Sequence, residues 1–359
     1  MSSPERCLII AEAGVNHGGS VESALALIDA AADSGADAVK FQSFRTELLV
    51  RDDAPQAAYQ RRNAPAASQA EMLRALELSP DAHRTIAAHC AARGITFLST
   101  AFDPPSLDLL LDLGVPRLKV ASGELTNGPM LLRMARTGLP LIVSTGMATL
   151  DEITDALAVV AIGRTEPTGL PTAAQRDAAR ARVMTEAGAV DDVTLLHCTS
   201  SYPAPPENVH LRAMHTLRER FGLPVGYSDH TEGVTVALAA VTLGATVIEK
   251  HLTLDREQTG PDHAASLDPE GFAELVTGIR TVEEALGSPD KGPTQVEEDV
   301  RWVARRSLVV ARDLLPDRPI REGDLIALRP GDGMMPEQLW DWIGRAPGRP
   351  YLAGEPFEG

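Results

Sequence analysis

Between residue 8 and about residue 285, short aliphatic runs alternate with Ala/Leu-rich amphipathic stretches eight times, and this alternation restricts the fold more than any other feature of the sequence. Leu8–Ala11, Ala38–Gln42, Thr96–Thr100, Arg117–Ala121, Pro140–Ser144, Val193–Cys198, Val225–Tyr227 and Thr246–Lys250 read as strands. Helical patterns follow at Val21–Ser34, Pro80–Arg93, Pro105–Leu113, Pro129–Thr137, Leu150–Ile162, Leu211–Phe221, Val234–Leu243 and Pro269–Leu286. Eight β-then-α units in order predict an α/β protein with a (β/α)8 TIM barrel. A doubly wound sheet is the rival topology, but no glycine-rich GxGxxG turn follows the first strand. Two stretches depart from the rhythm. One is a polar segment after the second strand, reaching to about Ser68; the other is Gly163–Asp192, with a helical middle at Ala173–Thr185.

The texture changes after Leu286. GSPDKGPTQVEEDV is rich in proline, glycine and charge and reads as a linker, and the turn-rich remainder reads as a small β-rich module. The expected organisation is therefore a barrel over 1–286, a linker over 287–302 and a module over 303–359, which suits a chain of 359 residues. The formal net charge of −17 repels phosphate backbones and excludes nucleic acid as a natural partner. No apolar run approaches the ~18 residues of a membrane span. The three cysteines show no CxxC spacing, and the start of the chain lacks the features of a secretion signal. A cytoplasmic location is expected.

In such a barrel chemistry collects at the C-terminal ends of the strands, so the residues at those ends matter most. They are Glu12, Lys40 with Gln42, Thr100, Lys119 with Ser122 and Glu124, Ser144, the run His197–Tyr202, Ser228 with His230, and Glu249-Lys250-His251. Some of the hydroxyls, Ser144 and Ser228 among them, could merely cap the following helices. Lys40 and Lys119 sit inside the apolar runs AVKF and LKVA, and a buried lysine needs an anion. Glu12 and Glu124 could neutralise them as internal ion pairs. Otherwise the two amines, the neighbouring hydroxyls and the backbone amides after Ser144 and Ser200 form a receptor for a small phosphate-bearing acid. His230 and His251 end adjacent strands and suit a divalent metal, with Asp229, Glu249 and Asp262 nearby. His17 and His197 read as hydrogen-bonding residues.

The strings EAGVNHGGS, VKFQSF, LKVASGE, STGMA, LHCTSSYPAP, GYSDHT, EKHLTLD and GPDHAAS, in that order, resemble the sialic acid synthases and their legionaminic and pseudaminic acid relatives. The terminal RRSLVVARD, GDLIALRPGDG and IGR are similar to the antifreeze-like (SAF) domain those enzymes carry. The resemblance covers residues 8 to 357. It implies that Lys40, Thr100, Lys119, Ser122, Ser144, Ser200 and Ser228 hold phosphoenolpyruvate, and that His230 and His251 bind a divalent metal, typically manganese, with magnesium or cobalt as alternatives. It implies further that Glu12, Gln42, Tyr202 and Asp262 contact an N-acetylated amino sugar. Arg329, in LRPGDG, would reach the sugar across a domain-swapped homodimer. Ser200 stands where sialic acid synthases tend to have asparagine, which brings the text closer to the legionaminic and pseudaminic enzymes.

The implied reaction is a condensation of phosphoenolpyruvate with an N-acetylmannosamine-type aldose, with C–O cleavage and phosphate release. A legionaminic synthase using another amino sugar is the alternative within this class. Glu124 is the expected manager of protons, with Glu12 next, and Lys40 and Lys119 would offset the developing phosphate charge. Outside the class, an aldolase forming a Schiff base at Lys40 or Lys119, or a sugar-binding barrel without catalysis, remains open.

Overall fold

In the computed structural model of the protein, which describes residues 6–186 and 189–359, eight parallel strands close on themselves in sequence order. They are β1 (Leu8–Gly14), β2 (Ala38–Ser43), β3 (Thr96–Ala101), β4 (Leu118–Val120), β5 (Leu141–Ser144), β6 (Val193–Cys198), β7 (Val225–Asp229) and β8 (Val247–His251). β1 pairs with both β2 and β8, so the sheet has no edge and the doubly wound alternative is excluded. The chain divides into two compact units between Gly287 and Ser288, and the barrel is the first.

Side chains alternate across a strand with a period of two, which sorts the barrel into layers. Ile10, Ala38, Leu98, Ile142, Leu196 and Val247 fill its interior. On β7 the corresponding position is Gly226, where a Cβ would press on the Val247 carbonyl and come within 2.7 Å of Leu196. The opposite face of the same strands, including Ile9, Val39, Phe41 and Tyr227, is fully buried in the large core shared with the surrounding helices.

Local chemistry sets the helix limits. Ser20, Ser79, Asp103, Thr149 and Asp268 each accept a backbone N–H of the first turn of the following helix. Gly94 ends the helix Pro80–Arg93 in the left-handed region, at φ 70°. The excursion after the helix Leu150–Thr165 carries its own helix, Ala173–Thr185, capped by Thr172 and Gln175. Its Val183 is buried, and Arg180 pairs with Asp151 and Asp155 on the preceding helix.

The segment after β2 is not a plain polar loop. It forms three short helices, Thr46–Leu49, Ala58–Asn63 and Gln69–Leu76, around a satellite core containing Val15, Phe44, Met72 and Leu76. The stretch expected as a linker also differs, because a helix begins at Glu298 and runs to Ala304. Two acids, Glu298 and Asp299, occupy its first turn, where the helix dipole favours negative charge. No helix among the described residues is long and apolar enough to cross a membrane.

The second unit holds an antiparallel pair, β9 (Ser307–Val310) and β10 (Leu325–Leu328). It has a separate small core of Leu308, Val310, Leu314, Ile320, Leu325, Tyr351 and Phe357.

Candidate active site

Two residues beyond the inner apolar layer, the same inward-facing positions turn polar. Ile10 is followed by Glu12, Ala38 by Lys40, Leu98 by Thr100, Ile142 by Ser144, Leu196 by Cys198, Gly226 by Ser228 and Val247 by Glu249. The strand register brings these groups side by side, opposing Glu12 to Lys40 and His251, Thr100 to Lys119, and Ser228 to Glu249. The result is the floor of a cavity of about 480 Å³ at the C-terminal mouth of the barrel, a size suited to small ligands.

The floor is an ion cluster. The Lys40 amine lies 2.5 Å from Glu12 Oε2, 3.1 Å from Thr100 Oγ1 and 3.8 Å from Glu249 Oε2. The Lys119 amine donates to Ser144 Oγ at 2.7 Å and stands 3.4 Å from Glu249 Oε1, which also accepts from Ser228 Oγ at 3.1 Å. All four charged side chains are at most 7% exposed, so their mutual field is little screened. Burial pushes the Glu12 carboxyl up to about 7 against the pull of Lys40. Burial opposes ionisation of Glu249 as well, yet Lys119 and Lys40 hold it below the ordinary carboxylate value. Burial tends to lower Lys40, but Glu12 and Glu249 raise it overall, whereas Lys119 ends below an ordinary amine because burial outweighs Glu249.

One wall is aromatic. The rings of His230 and His251 are 5.5 Å apart between centroids, and Tyr202 lies against both, at 4.2 Å and 5.7 Å. His230 Nδ1 donates to the Thr199 carbonyl at 2.7 Å, which leaves its Nε2 with a free lone pair. His251 Nδ1 is buried without a hydrogen-bond partner, 3.9 Å from Asp262 Oδ2. Burial lowers the pKa of both rings and keeps them neutral, the state a metal requires, while burial raises the Asp262 carboxyl to about 6. Among the described residues no group of three or more His, Cys, Asp or Glu side chains is arranged to hold an ion. Two neutral imidazole nitrogens fit a divalent cation whose other ligands are oxygens from water or substrate.

Hydroxyls crowd the β4–β6 side. Gly146 donates its N–H to Ser122 Oγ at 3.0 Å, and Ser122 Oγ lies 3.1 Å from Cys198 Sγ. A Cβ on Gly146 would meet Cys198 Sγ at 2.7 Å and Ser122 Oγ at 2.8 Å and would press on Ser200 Oγ, so glycine keeps this recess open.

Of the residues singled out in the sequence, Glu12, Lys40, Gln42, Thr100, Lys119, Ser122, Ser144, Ser200, Tyr202, Ser228, His230, His251 and Asp262 line this one cavity. Glu124 does not. The short 3-10 turn Ser122–Glu124 carries it past the floor, and its carboxylate accepts from Asn127 Nδ2 at 2.7 Å. Arg329 belongs to the second unit, directly after β10. Glu249, grouped from sequence only with the metal neighbourhood, proves to be the carboxylate between the two lysines. Strict alternation counted along Val247–His251 would have found it, since that puts Glu249 and His251 inward. Lys250 points outward, where it pairs with Asp229 at 2.9 Å. His197 Nε2 donates to the Val209 carbonyl, and His17 Nδ1 accepts from the Gly19 N–H.

The model of the NeuB family matches residues 27–291. The N,N'-diacetyllegionaminic acid synthase of Legionella pneumophila is 47% identical over 339 residues, covering 94% of this chain and 89% of the relative. The enzyme of the same name from Campylobacter jejuni is 42% identical over 98% of both chains. Among solved structures, the N-acetylneuraminic acid synthetase of Leptospira borgpetersenii in complex with citrate superposes with a TM-score of 0.66 at 32% identity, over 82% of this chain and 90% of that one.

Proposed function

The chain belongs to the NeuB family, and from that premise we propose that it condenses phosphoenolpyruvate with an N-acylated amino-sugar aldose, releasing phosphate and forming a nonulosonate. The observation that carries the reading is the placement of two buried lysines, with Glu249 between them, in the same cavity as a pair of neutral imidazoles. The names of the two relatives support a diacylated acceptor of the legionaminic type over N-acetylmannosamine.

In this reading Lys40, Lys119, Thr100, Ser144 and Ser228 bind the carboxylate and phosphate of phosphoenolpyruvate, and Ser122 and Ser200 border the recess kept open by Gly146. His230 and His251 would hold a divalent cation, manganese by the family resemblance, which when bound supplies Lewis-acid polarisation of the acceptor's aldehyde. The methylene carbon of phosphoenolpyruvate forms the new bond to the aldehyde carbon. Water then adds at the phosphate-bearing carbon, and phosphate departs with the bridging oxygen, leaving the 2-keto acid. Glu12, which can carry a proton near neutral pH, supplies one to the former aldehyde oxygen. Glu124 would serve as a rim residue once its bond to Asn127 is released. Lys40 and Lys119 offset the charge that grows on the departing phosphate. Gln42, Tyr202 and Asp262 orient the sugar.

The second unit would act as an antifreeze-like domain in a domain-swapped homodimer, with Arg329 serving the partner's barrel. The motifs RRSLVVARD and LRPGDG support this assignment. A cytoplasmic location agrees with three buried free cysteines and with the compartment that supplies phosphoenolpyruvate.

The test is phosphate release from phosphoenolpyruvate with a panel of N-acylated mannose-type aldoses, before and after exhaustive chelation. Release that needs both the sugar and a divalent cation is expected. A borohydride-trapped adduct on Lys119, whose pKa is lowered by burial, would instead point to a Schiff-base aldolase.

A further inference from the structure

We propose that Lys250 and Asp229 are positioning residues for the imidazole pair: bonded to each other on the outer face of the barrel, they set how far apart His230 and His251 stand. The inference rests on the reading of His230 and His251 as cation ligands and adds what holds them in place.

The strand ladder does not do this alone. β7 and β8 pair in parallel at Tyr227–Ile248, Ser228–Glu249 and Asp229–Lys250, and the pairing ends there. His230 follows β7, one residue past the last rung, while His251 still belongs to β8 and pairs with Glu12 of β1. Neither side chain of the last rung lines the cavity, and the two bond directly. The Lys250 amine donates to Asp229 Oδ2 at 2.9 Å and, beyond the end of the ladder, to the Thr231 carbonyl. Asp229 Oδ1 in turn accepts the Thr231 N–H and hydroxyl, both at 2.8 Å, and the Tyr227 hydroxyl at 3.2 Å. The residues on both sides of His230 are thereby tied to the residue that precedes His251.

Stability is a poor reason for this arrangement. Both side chains are fully buried, and apolar side chains of similar volume often hold a fold as well as a buried ion pair does. What an apolar pair lacks is direction. Hydrogen bonds from one ammonium to two placed acceptors fix a distance, and groups behind metal ligands tune the affinity of the ligands for the ion. The His230 ring is oriented by the Thr199 carbonyl, so Lys250 and Asp229 act on the backbone that carries the ring.

The test measures Mn2+ binding to metal-stripped protein without substrates, from the electron paramagnetic resonance signal of free Mn2+. Lys250→Met and Asp229→Asn should each weaken binding by on the order of 10-fold or more. Phosphoenolpyruvate affinity, measured by calorimetry without metal, should stay unchanged, because Ser228–Glu249 is a rung of the ladder. The double variant should bind no worse than the weaker-binding single variant, because the two residues act as one unit. It also leaves no buried charge unpaired, so it carries the test if Lys250→Met does not fold. A pair serving stability alone would lower the melting temperature and leave the Mn2+ affinity of folded protein unmoved. That result overturns the inference, as do additive losses in the double variant or an equal loss of phosphoenolpyruvate affinity. Wild-type protein that holds no Mn2+ overturns the imidazole pair as well, while phosphate release by that protein would leave the condensation itself standing.

Discussion

An amine that gives up its water on burial must recover the loss from anions or oxygen acceptors, and the two barrel lysines do so unequally. Lys40 is closed in by Glu12, Thr100 and Glu249, whereas Lys119 has Ser144 close by and Glu249 farther off at 3.4 Å. Lys119 is therefore the amine readier to accept a new anion. Lys119→Ala should lower kcat/KM by on the order of 10² or more, measured as initial rates of phosphate release, and near-normal turnover would remove it from the site. The lysines were legible in sequence because a charge inside LKVA or AVKF has no folding purpose. The position of Glu124 was not, because a three-residue turn after β4 redirects its carboxylate to Asn127, and strand-end counting carries no information about such a turn.

At the scale of elements, strands and helices were readable because apolar periodicity and capping chemistry agree locally. Pro80–Arg93, Ala173–Thr185, Val193–Cys198 and Pro269–Leu286 follow their sequence patterns residue for residue. The short helices after β2 escaped, since runs as brief as Thr46–Leu49 and Ala58–Asn63 show too few turns for a period to emerge. Their loss from the sequence reading hid an apolar side of the cavity. The tip of β5 gives a prediction at this scale. A Cβ at Gly146, beyond the β5 tip, would overlap side chains that follow β4 and β6, so Gly146→Ala must displace Ser122, Cys198 or Ser200. Overpacking of this kind costs about 1–3 kcal/mol. KM for phosphoenolpyruvate should rise about tenfold or more, by analogy with the tenfold effect of 1.4 kcal/mol on binding, and an unchanged KM would show that the recess is not used.

For the whole molecule, six histidines kept neutral by burial dominate the pH dependence of stability. His17 is lowered from 6.5 to about 4 by burial, with His83 adding to the effect, and His83, His197, His230, His251 and His263 are lowered too. The unfolded chain takes up protons at about 6.5 that the fold refuses, so this stability is complete above 6.5 and is lost as pH falls toward 4. Glu12 and Asp262, raised to about 7 and about 6, act in the opposite sense but are two against six. Urea midpoints of ligand-free protein should therefore drop between pH 6.5 and 4.5, and a rising midpoint would contradict this. His17→Gln should reduce the accompanying loss of unfolding free energy over that pH range by about 2 kcal/mol, at 1.36 kcal/mol per pKa unit.

The eight-unit rhythm made barrel closure readable, but one chain's sequence cannot display the surface of its partner, so the proposed exchange of Arg329 needs its own test. Co-expressed Arg329→Ala and Lys119→Ala chains should recover about a quarter of wild-type activity, because half of the dimers would each carry one intact site. No recovery from two inactive variants would place Arg329 with its own barrel, and an Arg329→Ala chain that is active by itself would place it outside the site.

In the proposed reaction this cavity joins phosphoenolpyruvate to an aldose with rupture of the C–O bond. Phosphoenolpyruvate labelled with 18O in the bridging position, turned over with an accepted sugar, decides it. Label should appear in the released inorganic phosphate, and label retained in the sugar acid would mean P–O cleavage and rule out this reaction.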